Sequence, residues 1–346
     1  MIICSPQLGL SPQSNSGGEV YDREVITRLC RQGIKILTLL PKNRPYRPHR
    51  NLVVEYAPFK SMVPPHIFSG FALPYLIKTY RREKFDLLRV HNPYFIGPAA
   101  AIFKKIFPQV PVVASLLHLE NRWLIGKYDH LITISISTKK EIIERLNYSS
   151  EKITVAYPGV DGSKFTPKYA PKRLTSGFII MFVGGLKLRK DPECMLRVMA
   201  KLNRPEVEMV FAGDGPLSNR LKGDRVQVTG FVNEKDKPAL YHQADVVVLP
   251  SVKEGFGMTL VEAGASGLPV VGNNCWSIPE IIQDGVTGFL ARPGDAGDWA
   301  KKLIQLIKDK NLRQKMGQAG RQQALTKFTW ENNLKIQLQV YENLIR

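Results

Sequence analysis

One break divides this chain. Between Tyr157 and Pro171 stand Pro158, Gly159, Gly162, Pro167 and Pro171, a density of backbone-bending residues that reads as a linker or hinge. On each side, short apolar runs alternate with segments of helical spacing, and the alternation starts afresh after the break. Before it, Met1–Cys4, Ile34–Leu40, Phe85–Val90, Val110–Leu117 and His130–Ile134 read as strands. Glu19–Gln32 reads as a helix stopped by Gly33, and Ser137–Leu146 as one capped by Ser137 or Thr138 with Glu141 close by. After it, Gly177–Val183, Glu206–Ala212, Arg225–Thr229, Asp245–Pro250 and Leu268–Gly272 read as strands. Pro192–Leu202, Lys237–Gln243, Met258–Ser266, Pro279–Gln283 and Gly297–Lys308 read as helices. Such alternation predicts mostly parallel sheets covered on both faces, so the expected class is α/β.

The 346 residues are enough for two domains with cores of their own. The expected boundaries are 1–158, a hinge over 159–171, a second domain over 172–326, and a last helix over 327–346 that returns to the first domain. Trp330, Leu334, Leu338, Tyr341 and Ile345 share about one face of that helix.

Charge narrows the partners. Lys and Arg number 49 against 30 Asp and Glu, a net +19 shared by both halves. The excess suggests a polyanion: anionic lipid, nucleic acid or a phosphorylated ligand. Ile67–Ile77 is the longest strongly apolar stretch of the first half, and it is too short for the roughly 20 residues of a membrane span. No basic segment leads into an apolar one at the start, so no signal peptide is expected. Cys4, Cys30, Cys194 and Cys275 lie far apart with no CxxC pair, which fits reduced cytosolic thiols and argues against zinc ribbons. No His/Cys/Asp set has metal-ligand spacing, and none is expected to hold a metal. Nucleic acid as the partner finds no helix-turn-helix, finger, RRM or KH pattern.

The chemistry gathers around Glu254-Gly-Phe-Gly-Met-Thr-Leu-Val-Glu262. A strand ends at Leu249-Pro250-Ser251, a glycine-containing loop follows, and a helix starts near Met258. Backbone N–H groups at such a helix start suit a diphosphate. Glu254 in the loop and Glu262 one turn into the helix can accept from sugar hydroxyls and from a second diol such as a ribose. Taken bare, the same pair reads as a solvated loop acid and a surface helix residue. Two carboxylates also suggest a glycosidase, but both stand on one loop–helix unit.

From Val226 onward the chain resembles the family 4 glycosyltransferases of the GT-B fold. The resemblance is carried by Gly230-Phe231-Val232, Tyr241-His-Gln-Ala-Asp245, Leu249-Pro-Ser251, Glu254-Gly-Phe-Gly257, Glu262-Ala263, Gly267-Leu-Pro-Val-Val271, Pro279-Glu280, Asp284-Gly285 and Gly288. Pro158-Gly-Val-Asp161 with Phe165 and Pro167, Val183-Gly184 with Lys190, Gly213-Asp-Gly-Pro216, Gly17-Gly18-Glu19 and Phe328-Thr-Trp330 flank that block. The resemblance implies two Rossmann-like domains facing a central cleft, and transfer of a sugar from a UDP- or GDP-sugar to a hydroxyl acceptor with retention of configuration and without metal. The implied acceptor is a lipid-linked or cell-surface glycan intermediate.

It also implies roles. Glu254 and His118 serve the reacting sugar, His118 lying at the end of the run Val112–Leu117. Gly184, Gly185, Arg189, Lys190, Gly213, Phe231, Gly255, Phe256, Gly257, Met258, Thr259 and Glu262 hold the donor, with Lys190 and Arg189 neutralising the diphosphate and Glu262 on the ribose. Gly17, Gly18, His91 and Asn92 line the acceptor side. One position departs from the family: Gly185 stands where an arginine is common, so either Arg189 or Lys187 replaces that cation or donor binding is weaker. A GT-B protein that binds a nucleotide sugar with little catalysis is the alternative.

Residues 63–84 combine an apolar block with Lys78, Arg81, Arg82 and Lys84. Phe68, Phe71, Leu73 and Tyr75 are expected either to enter a headgroup boundary while the cations meet anionic lipid, or to belong to an internal helix with a solvated basic face. The expected location is cytoplasmic, with possible attachment to the inner face of the cell membrane.

Overall fold

The computed structural model describes residues 1–7, 10, 17–42, 46–58, 64–91, 93–117, 128–167 and 177–346. They form two compact units, Met1–Tyr157 with Glu331–Arg346, and Pro158–Trp330.

The first unit is built on an all-parallel sheet. Its strands are β1 (Ile2–Cys4), β2 (Lys35–Pro41), β3 (Leu52–Ala57), β4 (Leu87–His91), β5 (Val112–Leu116), β6 (His130–Thr133) and β7 (Ile153–Val155), in the order β3-β2-β1-β4-β5-β6-β7. Its helices are α1 (Gly17–Arg31), α2 (Pro65–Arg82), α3 (Pro93–Ile106) and α4 (Ile136–Leu146). The second unit repeats the scheme with β8 (Phe178–Val183), β9 (Val207–Ala212), β10 (Val226–Gly230), β11 (Val246–Leu249), β12 (Val270–Asn273) and β13 (Gly288–Ala291), in the order β10-β9-β8-β11-β12-β13, again all parallel. Around it stand α5 (Glu193–Leu202), α6 (Lys237–Tyr241), α7 (Met258–Ala265), α8 (Ile278–Ile281), α9 (Ala296–Lys308) and α10 (Lys310–Thr326). A last helix, α11 (Trp330–Ile345), belongs from Glu331 onward to the first unit.

Strands covered on both faces read as unbroken apolar runs. Phe178–Val183 is buried at every position. In each sheet the strand order reverses once, between β1 and β4 and between β8 and β11. Loops leave these neighbours in opposite directions, so a crevice opens outside their C-terminal ends, the usual ligand position in open parallel sheets.

Some elements escape the pattern reading. β3 is an edge strand with four of its six residues partly or fully exposed. α3 starts at one proline and contains another, Pro98. α10 is polar and carries Gly317 and Gly320. A Cβ on Gly317 would overlap the carbonyl of Gly267, and one on Gly264 of α7 would come within 3.2 Å of the carbonyl of Gly320. These glycines let α10 lie close against α7, a packing that composition alone hides.

Two local readings are corrected. α4 is capped not by Ser137 or Thr138 but by Ser135, whose extended backbone lets its hydroxyl accept from the N–H of Thr138 at 3.1 Å. In α2, Phe68 and Tyr75 are 1% and 7% exposed and join the core of the first unit, so neither can enter a membrane.

α11 is held by polar groups. Asp22 of α1 and Arg89 of β4 form a fully buried ion pair at 2.5 Å. Arg89 Nε donates to the Tyr341 hydroxyl at 3.2 Å, which donates to Gln337 Oε1 at 2.7 Å. Gln337 Nε2 donates to Asn333 Oδ1, and Asn333 Nδ2 to the carbonyls of Ala156 and Tyr157. The buried stripe of α11 therefore runs through Asn333 and Gln337, whereas Ile345, expected on it, is exposed.

Candidate functional site

The richest cluster stands at the C-terminal ends of β8 and β11, where the second sheet reverses. After β8 the chain turns at Gly184 (φ +141°) into the segment that holds Arg189 and Lys190. After β11 it runs through Ser251 to Glu254 and Gly257, and α7 begins. The N–H of Val252 donates to the carbonyl of Arg189 at 2.9 Å, tying the two loops together.

Glu254 is buried, and its partners come from both loops. Lys190 pairs with Oε2, Ser251 Oγ donates to the same oxygen at 3.2 Å, and Arg189 Nη1 lies 3.9 Å from Oε1. Burial alone would raise the Glu254 carboxyl. The ammonium of Lys190, helped by Arg189 and the Ser251 hydroxyl, outweighs it and holds the group below the ordinary carboxylate value. Arg189 also donates to the carbonyl of Lys253 at 3.2 Å. The two expected diphosphate cations are thus gathered on the acid that precedes the glycine loop.

That loop is braced from below. Asn273, fully buried at the end of β12, donates to the carbonyls of Pro250 and Ser251 at 2.6 and 3.1 Å and accepts from Trp299 Nε1 at 3.0 Å. The Ser277 hydroxyl lies 2.9 Å from the carbonyls of both Glu254 and Phe256. Phe256 is buried, while Gly255, Met258 and Thr259 are partly open. Gly257 has φ +103°, and a Cβ there would press on Ile281 and Leu249 at 3.3 and 3.4 Å. α7 starts from it with no side-chain cap, so its first N–H groups are not taken by a capping side chain.

Glu262, on the next turn of α7, is buried with partners of its own. The Tyr241 hydroxyl donates to Oε2 at 2.7 Å, and Lys237 Nζ lies 3.4 Å from Oε1 and 2.5 Å from Glu234. Burial raises the Glu262 carboxyl despite Lys237. It is therefore no surface helix residue. Lys237 and Tyr241, its partners, stand one turn apart on α6, and no sequence signal marks them as such. Their spacing shows that they share a face, but not that α6 turns this face to α7.

The loops after β9 and β10 join at the same end of the sheet. A Cβ on Gly213 would overlap the carbonyl of Gly184, and Gly213 bridges Gly230. Phe231 follows Gly230 with half of its surface exposed. Gly185 is open, and a Cβ there would meet Lys187 and Asp214 only at 3.7–3.8 Å, ordinary contact distances.

In the first unit, Gly17 and Gly18 form the first turn of α1 rather than a loop. His91 ends β4, with Nδ1 3.3 Å from Asp22 Oδ1 and its ring stacked on Tyr21. Both border the reversal between β1 and β4. His118 and Asn92 lie outside the described residues.

Known proteins match along most of this length. The family model described as glycosyl transferases group 1 matches residues 168–323, and that of glycosyltransferase family 4 matches residues 15–164. A glycosyltransferase of Methanocaldococcus jannaschii is 31% identical over 299 residues, 75% of this chain and 76% of that protein. Sulfoquinovosyl transferase SQD2 of Arabidopsis thaliana is 30% identical over 292 residues, 74% of this chain; the chain spans 56% of that protein's length. Among solved structures, sucrose-phosphate synthase from Thermosynechococcus elongatus superposes with a TM-score of 0.82 at 18% identity, covering 99% of both chains.

Proposed function

We propose, from the premise that this chain belongs to the group 1 and family 4 glycosyltransferases and has their GT-B fold, that it moves a sugar from a UDP- or GDP-sugar to a hydroxyl of a lipid-linked or cell-surface glycan, with retention of configuration and no metal requirement. The observation that carries this reading is the Lys190–Glu254 pair set against the uncapped start of α7, at the reversal of the second sheet. Lys190, Arg189 and the N–H groups at Gly257 and Met258 stabilise the charge that grows on the departing diphosphate. Glu254 accepts from donor-sugar hydroxyls, and its ionised form keeps Lys190 in place. Glu262, oriented by Tyr241 and Lys237, accepts from the ribose, and Phe231 offers a ring face to the base. His118 serves the reacting sugar, while His91, Asn92, Gly17 and Gly18 serve the acceptor.

A thermal-shift series with UDP, GDP, ADP and their sugars tests the donor site. A ligand bound only by the folded protein raises the midpoint with the logarithm of its concentration over Kd. One nucleotide class is expected to stabilise the protein, and Glu262→Ala to abolish that shift. No shift with any nucleotide overturns the reading.

Gly185 offers a second prediction. Because a side chain fits there, Gly185→Arg is expected to fold normally and to tighten nucleotide binding by up to about fivefold, the upper range for one added exposed ion pair. Unchanged or weaker binding by titration calorimetry would mean that position 185 does not face the diphosphate.

A further inference from the structure

α2 has two faces of different chemistry. Phe68, Ala72, Tyr75, Leu76 and Tyr80 enter the core. The exposed stripe runs Ile67, Phe71, Pro74, Lys78 and Arg81, at alternating four- and three-residue spacing. Its first half is apolar, with Ile67 and Phe71 39% and 42% exposed, and its second half is basic. Arg82 turns aside to Glu55 at 2.7 Å. A groove of about 720 Å³ opens along the helix between Leu73, Pro74, Ile77, Lys78, Arg81 and Arg82.

α3 lies alongside and runs the same way. Near the start of both helices the Ser69 hydroxyl donates to the carbonyl of Phe95 at 2.7 Å. Near their ends the Tyr80 ring packs on Phe103 and Phe107 with centroids 5.8 and 4.7 Å apart. α3 exposes Ile102, Lys105 and Ile106. Neither helix contains a single Asp or Glu.

A helix facing only water gains nothing from exposed isoleucines beside unopposed cations, and it ordinarily mixes charges of both signs. Phosphate groups alone would select the cations but not Ile67, Phe71, Ile102 and Ile106. A surface with anionic headgroups over an apolar layer selects both. We infer that the exposed faces of α2 and α3 dock this protein on an anionic lipid bilayer, the four apolar side chains entering the headgroup–acyl boundary and Lys78, Arg81 and Lys105 meeting the lipid phosphates. The net charge of +19 adds long-range attraction to the same surface. Among the described residues no helix is long and apolar enough to cross a membrane, so the contact is one of lying on the bilayer. Docking is separate from sugar transfer: it uses no residue of the nucleotide site.

Co-sedimentation of the whole chain with vesicles tests it. With phosphatidylglycerol–phosphatidylcholine vesicles at low salt the protein is expected to pellet, and with pure phosphatidylcholine to stay in solution. Lys78→Ser/Arg81→Ser is expected to lower the partition coefficient by about 25-fold, about fivefold for each cation near the surface. Ile67→Ser/Phe71→Ser is expected to weaken binding at high salt, where charge is screened and apolar insertion carries what remains. All four positions are exposed, and an unchanged unfolding midpoint and nucleotide response verify that each variant is intact. Failure of the wild type to pellet overturns the inference. So does wild-type binding by either double variant. Loss in the charge variant alone, with equally tight binding to a plain duplex DNA, would make the face a general polyanion surface and also overturn it.

Discussion

Replacing Glu254 by alanine is expected to cut turnover at least ~100-fold, the scale of losing one preorganised group at a charged transition state, while the protein stays folded and still binds nucleotide. The carboxylate is buried and faces Lys190, Arg189 and Ser251. Removing it frees Lys190 from its anchor and, on the proposed reading, takes away the acceptor for donor-sugar hydroxyls. The cation itself remains, so a nucleotide diphosphate is expected to keep its proposed partner and the thermal shift with nucleotide to survive. Glu254→Gln separates the two effects: it keeps the side-chain volume and a hydrogen-bond acceptor but releases the ion pair. A glutamine variant as slow as the alanine variant places the effect on charge. Near-normal turnover in both variants would remove Glu254 from the reaction and overturn the proposed site.

The second large effect is on stability. Asp22→Ala is expected to destabilise the first unit by about 3–5 kcal/mol, because it leaves Arg89 fully buried without a counter-charge. That is a large share of the roughly 5–15 kcal/mol that holds a typical domain folded. The loss also reaches α11 through Arg89 and Tyr341. Urea unfolding followed by a probe in each unit reads it, since a chain of two units need not unfold in one step. The double variant Asp22→Leu/Arg89→Met removes both charges and is expected to recover most of the loss. A cost below about 1 kcal/mol for Asp22→Ala would show that water reaches Arg89 and that the pair is no anchor.

How far the residues alone reach differs between the two carboxylates. Glu254 stands out because glycines, a strand end and a helix start surround it within a few positions, so local rules are enough. Its place beside Lys190, 64 positions earlier in the chain, exists only once the two loops fold together; the family resemblance implies a donor-side role for each residue but not their ion pair. Glu262 carries no local mark of burial, and its partners on α6 emerge only when α6 and α7 pack. The polar stripe of α11 misleads for a related reason. Asn333 and Gln337 look like solvent-facing residues until the backbone carbonyls of Ala156 and Tyr157 appear opposite Asn333.

The sequence by itself determined the α/β class, the restart of the pattern after residue 157 and the glycine loop with its two acids. Each of these is encoded by neighbours in the chain: apolar runs make strands, 3.6-residue spacing makes helices, and glycines make turns. Only the tertiary structure decided which face of α2 meets water, that Phe68 and Tyr75 belong to the core, that Asp22 neutralises Arg89, and that Lys237 and Tyr241 hold Glu262. Those outcomes depend on which surfaces a helix and a sheet bury against each other. That choice is set by the summed packing of residues far apart in the chain, which no local spacing records.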